Sequence, residues 1–140
     1  SRSKSGNWVD NYHTGYVLDC LDDFQKISGD INIKKNINLG VSYYLNNFIT
    51  ESGIPKFFNN GAYPIDCTSA GQCILTLVRF DKQNLASKVA LKTISEMQKS
   101  DGSFKFRKFK YYTISTSFMR WSNAWMYAGL SNLVYKIKLG

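Results

Sequence analysis

Three stretches of this 140-residue chain align with one another without a gap. They begin at Val9, Ile65 and Met119 and run through Phe24, Phe80 and Val134, a period of about 55 residues. Repetition at this length marks stacked supersecondary units, each burying against its neighbours the apolar face it cannot bury alone. Within each unit the apolar spacing is helical rather than alternating, and it predicts helices over about 10–27, 33–49, 66–80, 83–98 and 121–136. The first carries Tyr16, Val17, Cys20, Leu21 and Phe24 on one face and stops near Gly29; the fourth carries Leu85, Val89, Leu91, Ile94 and Met97. The expected fold is therefore all-α, built of αα hairpins.

The connections repeat too. Gly53-Ile54-Pro55-Lys56-Phe57 leads into the third helix and Gly102-Ser103-Phe104-Lys105-Phe106 towards the fifth, both reading Gly-x-x-Lys-Phe. Aromatic and basic residues then alternate through Phe104, Lys105, Phe106, Arg107, Lys108, Phe109, Lys110, Tyr111 and Tyr112. That pattern suggests a short β-hairpin near 103–113. Connections this long in a helical array are usually functional.

In an array of αα hairpins every second helix points the same way. Helices one, three and five are then parallel, and if the array curls into a toroid they line its inside, with their first turns on one rim. Helix N-termini present unsatisfied N–H groups and partial positive charge, which favours anionic groups there. The rim residues are Asp10, Asn11, Tyr12 and His13; Asp66, Cys67, Thr68 and Ser69; Arg120, Trp121, Ser122 and Asn123. Asp10 and Asp66 are good N-caps, a role that needs no chemistry. His13 is the chain's single histidine, a residue more often structural than catalytic, whose ordinary pKa nonetheless suits proton transfer near neutrality. A cation at a helix start is electrostatically unusual, so Arg120 implies a partner: Asp10, Asp66 or a bound carboxylate. Trp125 suits core packing, and Trp121 suits either core or a stacking platform.

The formal charge of +8 bears on the partner. Basic residues interleaved with aromatics could grip single-stranded nucleic acid or an anionic polysaccharide, or could form a plain solvated strand. No nucleic-acid motif accompanies them, so nucleic acid is the unlikely choice. Three cysteines without CxxC spacing argue against a disulfide framework or structural zinc, and one histidine with scattered carboxylates gives no metal spacing. Neither metal nor cofactor is expected. Cys20 and Cys73 read as small buried thiols, and a reducing, cytoplasmic setting fits. No apolar run is long enough to span a membrane. The opening Ser1-Arg2-Ser3-Lys4-Ser5-Gly6 has neither an initiating Met nor a basic-then-apolar leader, so the chain reads as a processed piece of a longer protein.

The segments Val9-Asp10-Asn11-Tyr12-His13-Thr14-Gly15-Tyr16-Val17-Leu18-Asp19, Tyr63-Pro64-Ile65-Asp66 and Met119-Arg120-Trp121-Ser122-Asn123-Ala124-Trp125-Met126 resemble the C-terminal part of a bacterial family. Its genes lie among those for capsule and surface-polysaccharide synthesis, and its members resemble the helical toroid of six-hairpin glycosidases and terpenoid cyclases. Some relatives are labelled delta-aminolevulinic acid dehydratase; that enzyme resembles a TIM barrel, and nothing here reads as alternating βα units. The resemblance implies that residues 1–140 are one domain, about two and a half hairpins of a ring of about six. Exposed repeat ends would then favour a homo-oligomer. It also implies a carbohydrate-active domain for an acidic surface polysaccharide. As a hydrolase, Asp10 and Asp66 would be the carboxylate pair. As a lyase or epimerase, His13 or Tyr12 would move a proton while Arg120 holds the uronate carboxylate, with Trp121, Asn123, Asn11, Ser69, Lys105 and Arg107 as further substrate contacts. The alternative is a glycan-binding or assembly module that uses the same rim without turnover.

Overall fold

A computed structural model describes residues 9–139; the opening Ser1 to Gly6 segment, expected to be a processed end, lies outside them. The helices are α1 (Asn11–Ser28), α2 (Ile31–Phe48), α3 (Cys67–Arg79), α4 (Gln83–Met97) and α5 (Ala124–Leu139). All five fall within a few residues of the expected spans. Asp10 caps α1 by accepting the His13 N–H at 2.8 Å, and Asp66 caps α3 by accepting the Ser69 N–H at 3.0 Å. The two caps occupy the same position in successive repeats. Gly29 ends α1 in the left-handed conformation at φ 70°, as glycine at a helix C-terminus commonly does.

The connections are equivalent bond for bond. Thr50 N–H donates to the Ile54 carbonyl and Lys99 N–H to that of Ser103; Lys56 N–H donates to Phe48 and Lys105 N–H to Met97. Both turns hinge on a glycine at positive φ, Gly53 at 87° and Gly102 at 84°, which is why Gly-x-x-Lys-Phe begins as it does. The hairpin expected near 103–113 is present as β2 (Arg107–Lys108) and β3 (Thr113–Ile114), but the sheet has a third strand. β1 (Ile65–Asp66) pairs antiparallel with β2, setting Asp66 opposite Arg107. In the first unit the same geometry sets Asp10 opposite Phe58.

α3 is the centre of the molecule. It packs between α1 and α5 with α4 behind it, and nearly all of it from Cys67 to Val78 is buried. Close packing of the inner helices rests on small residues. A side chain at Gly71 would stand less than 3.0 Å from the backbone carbonyl of Trp125, and Gly129 faces the Gly71 carbonyl in return. Gly15, the same repeat position in α1, lies against Thr76 and Tyr44.

Three expectations about burial are corrected. Cys20 is exposed, not buried, whereas Cys67 and Cys73 are both buried; burial pushes the Cys73 thiol up to about 11 and raises that of Cys67 further. Leu91 is exposed. The apolar stripe of α1 also faces outward, with Tyr16, Val17 and Phe24 about half exposed, while the buried strip is Asn11, Gly15 and Leu18. α2 and α3 lie on that small-residue side, and among the described residues no element covers the stripe.

The arm is tied to the body at its base. Lys108 Nζ meets Glu96 at 2.5 Å and Lys92 meets the same carboxylate at 2.9 Å. Hydrogen bonds from Lys108 and then Lys92 pull the Glu96 carboxyl from 4.5 down to about 2. Its pairs thus add stability in full above about pH 4.5 and lose it as pH falls through about 2. In Glu96→Gln, thermal unfolding followed between about pH 5 and pH 2 should show a shallower acid loss than the parent chain. An unchanged acid slope would mean the arm is not anchored through Glu96.

Candidate active site at the rim of the inner helices

The first turns of α1 and α3, the loop before each, and the start of α5 surround a pocket of about 280 Å³. Asp10, Tyr12, His13, Asp66, Arg107 and Trp121 line it, joined by Thr68, Phe57 and Phe106. Its walls are mostly apolar, with the polar groups gathered at the two caps. An apolar concavity with a few convergent polar groups is the usual form of a small-ligand site.

At the first cap, Asp10 is buried and His13 is exposed. Asp10 Oδ1 accepts the backbone N–H of His13, and Oδ2 lies 2.8 Å from its ring Nδ1. A carboxylate only accepts, so the hydrogen bond is donated by Nδ1–H, and the His13 ring lines the pocket. The helix cap thus also orients the imidazole. The Tyr12 ring stands edge-on to His13 and to Trp125, with centroids 5.2 and 5.1 Å away. Burial, and then Tyr16, raise its hydroxyl above the ordinary value, so it is a proton donor at neutral pH.

At the second cap the chemistry differs. Asp66 is buried; Oδ1 accepts the Ser69 N–H, and Oδ2 accepts Arg107 Nε–H at 2.7 Å and lies 2.7 Å from Nη2 in the same ion pair. The guanidinium lies over Phe57 at 4.7 Å and beside Phe106 at 5.0 Å. Such a clamp of carboxylate and rings fixes a planar cation that still faces the pocket.

At the third unit the repeat breaks. Met119–Asn123 forms a single π turn before α5, with no side-chain cap. The turn is held by Ser122, whose hydroxyl donates to the Phe118 carbonyl at 2.9 Å and accepts the Phe118 N–H at 2.9 Å. The Trp121 carbonyl accepts from Thr68 Oγ1 at 2.5 Å. Trp121 therefore sits over the pocket, about half exposed, against Phe118 and Phe106 at 5.3 and 5.9 Å. π turns are rare and concentrate at functional sites.

The remaining candidates lie elsewhere. Asn11 is buried beneath the rim, donating to the Lys56 carbonyl at 2.9 Å and accepting from the Tyr44 hydroxyl. Ser69 is buried, and its hydroxyl has no partner among the described residues. Asn123 Oδ1 accepts the Phe104 N–H at 2.8 Å, fastening the arm to the π turn. Lys105 is outside the lining of the pocket, although its charge acts on Cys67. Arg120 is exposed, outside the lining, and makes no ion pair among the described residues. The cation that meets Asp66 is Arg107. Thr68 is among the rim residues and Phe106 in the aromatic-basic segment expected from sequence, whereas Phe57 carried no expectation as a site residue. Extending the Gly-x-x-Lys-Phe alignment by one residue matches Arg107 with Phe58, and only the strand pairing sets these opposite Asp66 and Asp10.

Among the described residues no cluster of metal-binding side chains occurs and no helix is long and apolar enough to cross a membrane. No protein-family model matches the sequence, and no curated protein sequence matches it. The fold is similar to that of a solved structure, the crystal structure of an unsaturated glucuronyl hydrolase specific for heparin. The TM-score is 0.70 at 16% identity, over 92% of this chain and 41% of that one. The chain thus spans about two fifths of that protein's length. That protein is a six-hairpin glycosidase-like toroid, and the present chain folds as an arc of the same α/α architecture.

Proposed function

We propose that this chain is a carbohydrate-active domain that takes an acidic saccharide, of the kind found in bacterial surface polysaccharides, into the rim pocket. One observation carries the reading: a histidine oriented by a buried carboxylate faces the same aromatic-walled pocket as a clamped arginine. Trp121 and Phe106 offer faces to a sugar ring, and Arg107 offers charge to a uronate carboxylate. His13 Nε2 is then the base that removes a proton from the carbon bearing that carboxylate, the first step of a lyase or an epimerase, with Tyr12 as a donor at the same rim. The similarity in fold to a glucuronyl hydrolase supports a sugar ligand without fixing the reaction.

Asp66 fits a hydrolytic role less well, because both of its oxygens are already bonded. That same engagement favours the second reading, a module that binds glycan without turnover. His13→Ala separates the two. In an enzyme of the proton-transfer kind it should lower turnover about 10²- to 10⁴-fold with little change in KM. Turnover is read as ultraviolet absorbance of a new unsaturated uronate, or as solvent-deuterium exchange at the sugar. A parent chain that binds uronates but gives neither signal, with His13→Ala only a few-fold weaker in affinity, would establish the binding module instead.

A further inference from the structure

We infer that the tip of the arm is a second glycan-binding point, one that grips an anionic polysaccharide chain where it leaves the rim pocket. This extends the proposed function and rests on it. The basic residues of the segment divide into two groups. Lys108 is committed to Glu96, Lys99 lies 3.6 Å from Asp101, and Arg107 is clamped by Asp66. Lys105 and Lys110 make no ion pair among the described residues, and the Lys110 amine, nearer the tip, lies over the Tyr111 ring at 5.1 Å. Tyr111 is 86% exposed and Tyr112 is 60% exposed, which leaves both rings largely open to solvent.

The tip is also held in place. Phe109 stacks on Tyr112 at 4.5 Å with the rings 16° apart, and the Phe109 N–H donates to the Tyr112 carbonyl at 2.8 Å. The base is fixed by Asn123 to Phe104 and by Ser103 to Ser117 at 3.0 Å. A fixed arm presents Tyr111 and Lys110 with little ordering cost on binding. Tyr111 lies in the bend of the hairpin, four positions along from Arg107 in the pocket wall, so their Cα atoms are at most about 14 Å apart. A ring face with an adjacent ammonium suits a sugar that carries a carboxylate or sulfate, the ring stacking and the amine meeting the anion. Once the pocket holds one end of a chain, the second contact is intramolecular, so its gain appears only with ligands long enough to reach it.

The test is calorimetric titration with a uronate disaccharide, a uronate polymer of a dozen or more sugars, and single-stranded DNA at moderate salt, for the parent chain and Tyr111→Ala. The inference predicts that the polymer binds about tenfold or more tightly than the disaccharide. Tyr111→Ala should erase that gain while leaving disaccharide affinity alone, and Lys110→Gln should erase part of it. If polymer and disaccharide bind equally, or the gain survives Tyr111→Ala, the tip site is wrong and the pocket reading stands. If the polymer binds through Tyr111 while the disaccharide does not bind, the tip stands and the pocket reading fails. Binding of neither ligand, or DNA bound through Tyr111 as tightly as the polymer, overturns the glycan tip site.

Discussion

Gly71→Ala should destabilise the fold by about 2–3 kcal/mol, lowering the thermal midpoint of a domain this size by roughly 10 °C. The added methyl would meet the carbonyl oxygen, carbonyl carbon and Cβ of Trp125, all closer than 3.0 Å. These belong to the backbone of α5 or adjoin it, so relief requires moving one inner helix away from the other. Helix propensity works against the loss, since Ala is favoured over Gly by about 1 kcal/mol, and the steric term wins. Gly15→Ala is the matched control. Its nearest neighbour is Thr76 Oγ1 at 2.9 Å, a side-chain atom rather than helix backbone, so a smaller loss than in Gly71→Ala is expected. Moving α5 would also move the π turn, and Trp121 should leave the pocket with it. Equal stability of Gly71→Ala and the parent chain, read by calorimetry, would contradict the close crossing of α3 and α5.

Arg107→Ala should cost about 2–4 kcal/mol and also remove the pocket's cation. Asp66 is buried, and the substitution strips Oδ2 of its guanidinium partner, leaving an uncompensated carboxylate. It also removes the stack on Phe57 and Phe106. Adding Asp66→Asn to Arg107→Ala should recover part of the stability, because a neutral amide still caps α3 without a buried charge. It should not recover affinity for an acidic ligand. Arg107→Lys keeps the charge but loses the fork and the stack, so an intermediate loss is expected. A denaturant titration of the parent chain, Arg107→Ala, Asp66→Asn and the double variant measures the coupling. Additive effects of the two substitutions would mean that the Asp66 and Arg107 contact contributes little.

The helical array was legible because repetition and capping are local. Asp10 and Asp66 stand at equivalent positions before apolar helical patterns, and both cap as their places in the repeat suggest. The repeated turn glycines fixed the connections in the same way. Arg120 was legible as a rim cation only while the third unit was assumed to begin like the first two. The π turn rotates its side chains relative to that register, and no local signal announces it. The contact of Arg107 with Asp66 spans 41 residues and depends on β1 pairing with β2, two-residue strands too short to carry a periodic pattern. The outward stripe of α1 misled because periodicity shows which face is apolar, not which face is covered; Gly15 and Asn11, small and polar, mark the packed side.

The central claim is that the rim pocket recognises an acidic sugar by its chemistry, not merely by its charge. The most direct measurement is titration of the parent chain and Arg107→Lys with matched uronate and neutral oligosaccharides, and with single-stranded DNA, at low and moderate salt. The account predicts selective binding of the uronate that persists at moderate salt, at least tenfold weaker in Arg107→Lys, with neutral sugar and DNA far behind. Equal binding of every polyanion, erased together as salt rises, would show the +8 charge acting nonspecifically and would contradict a glycan site at the rim.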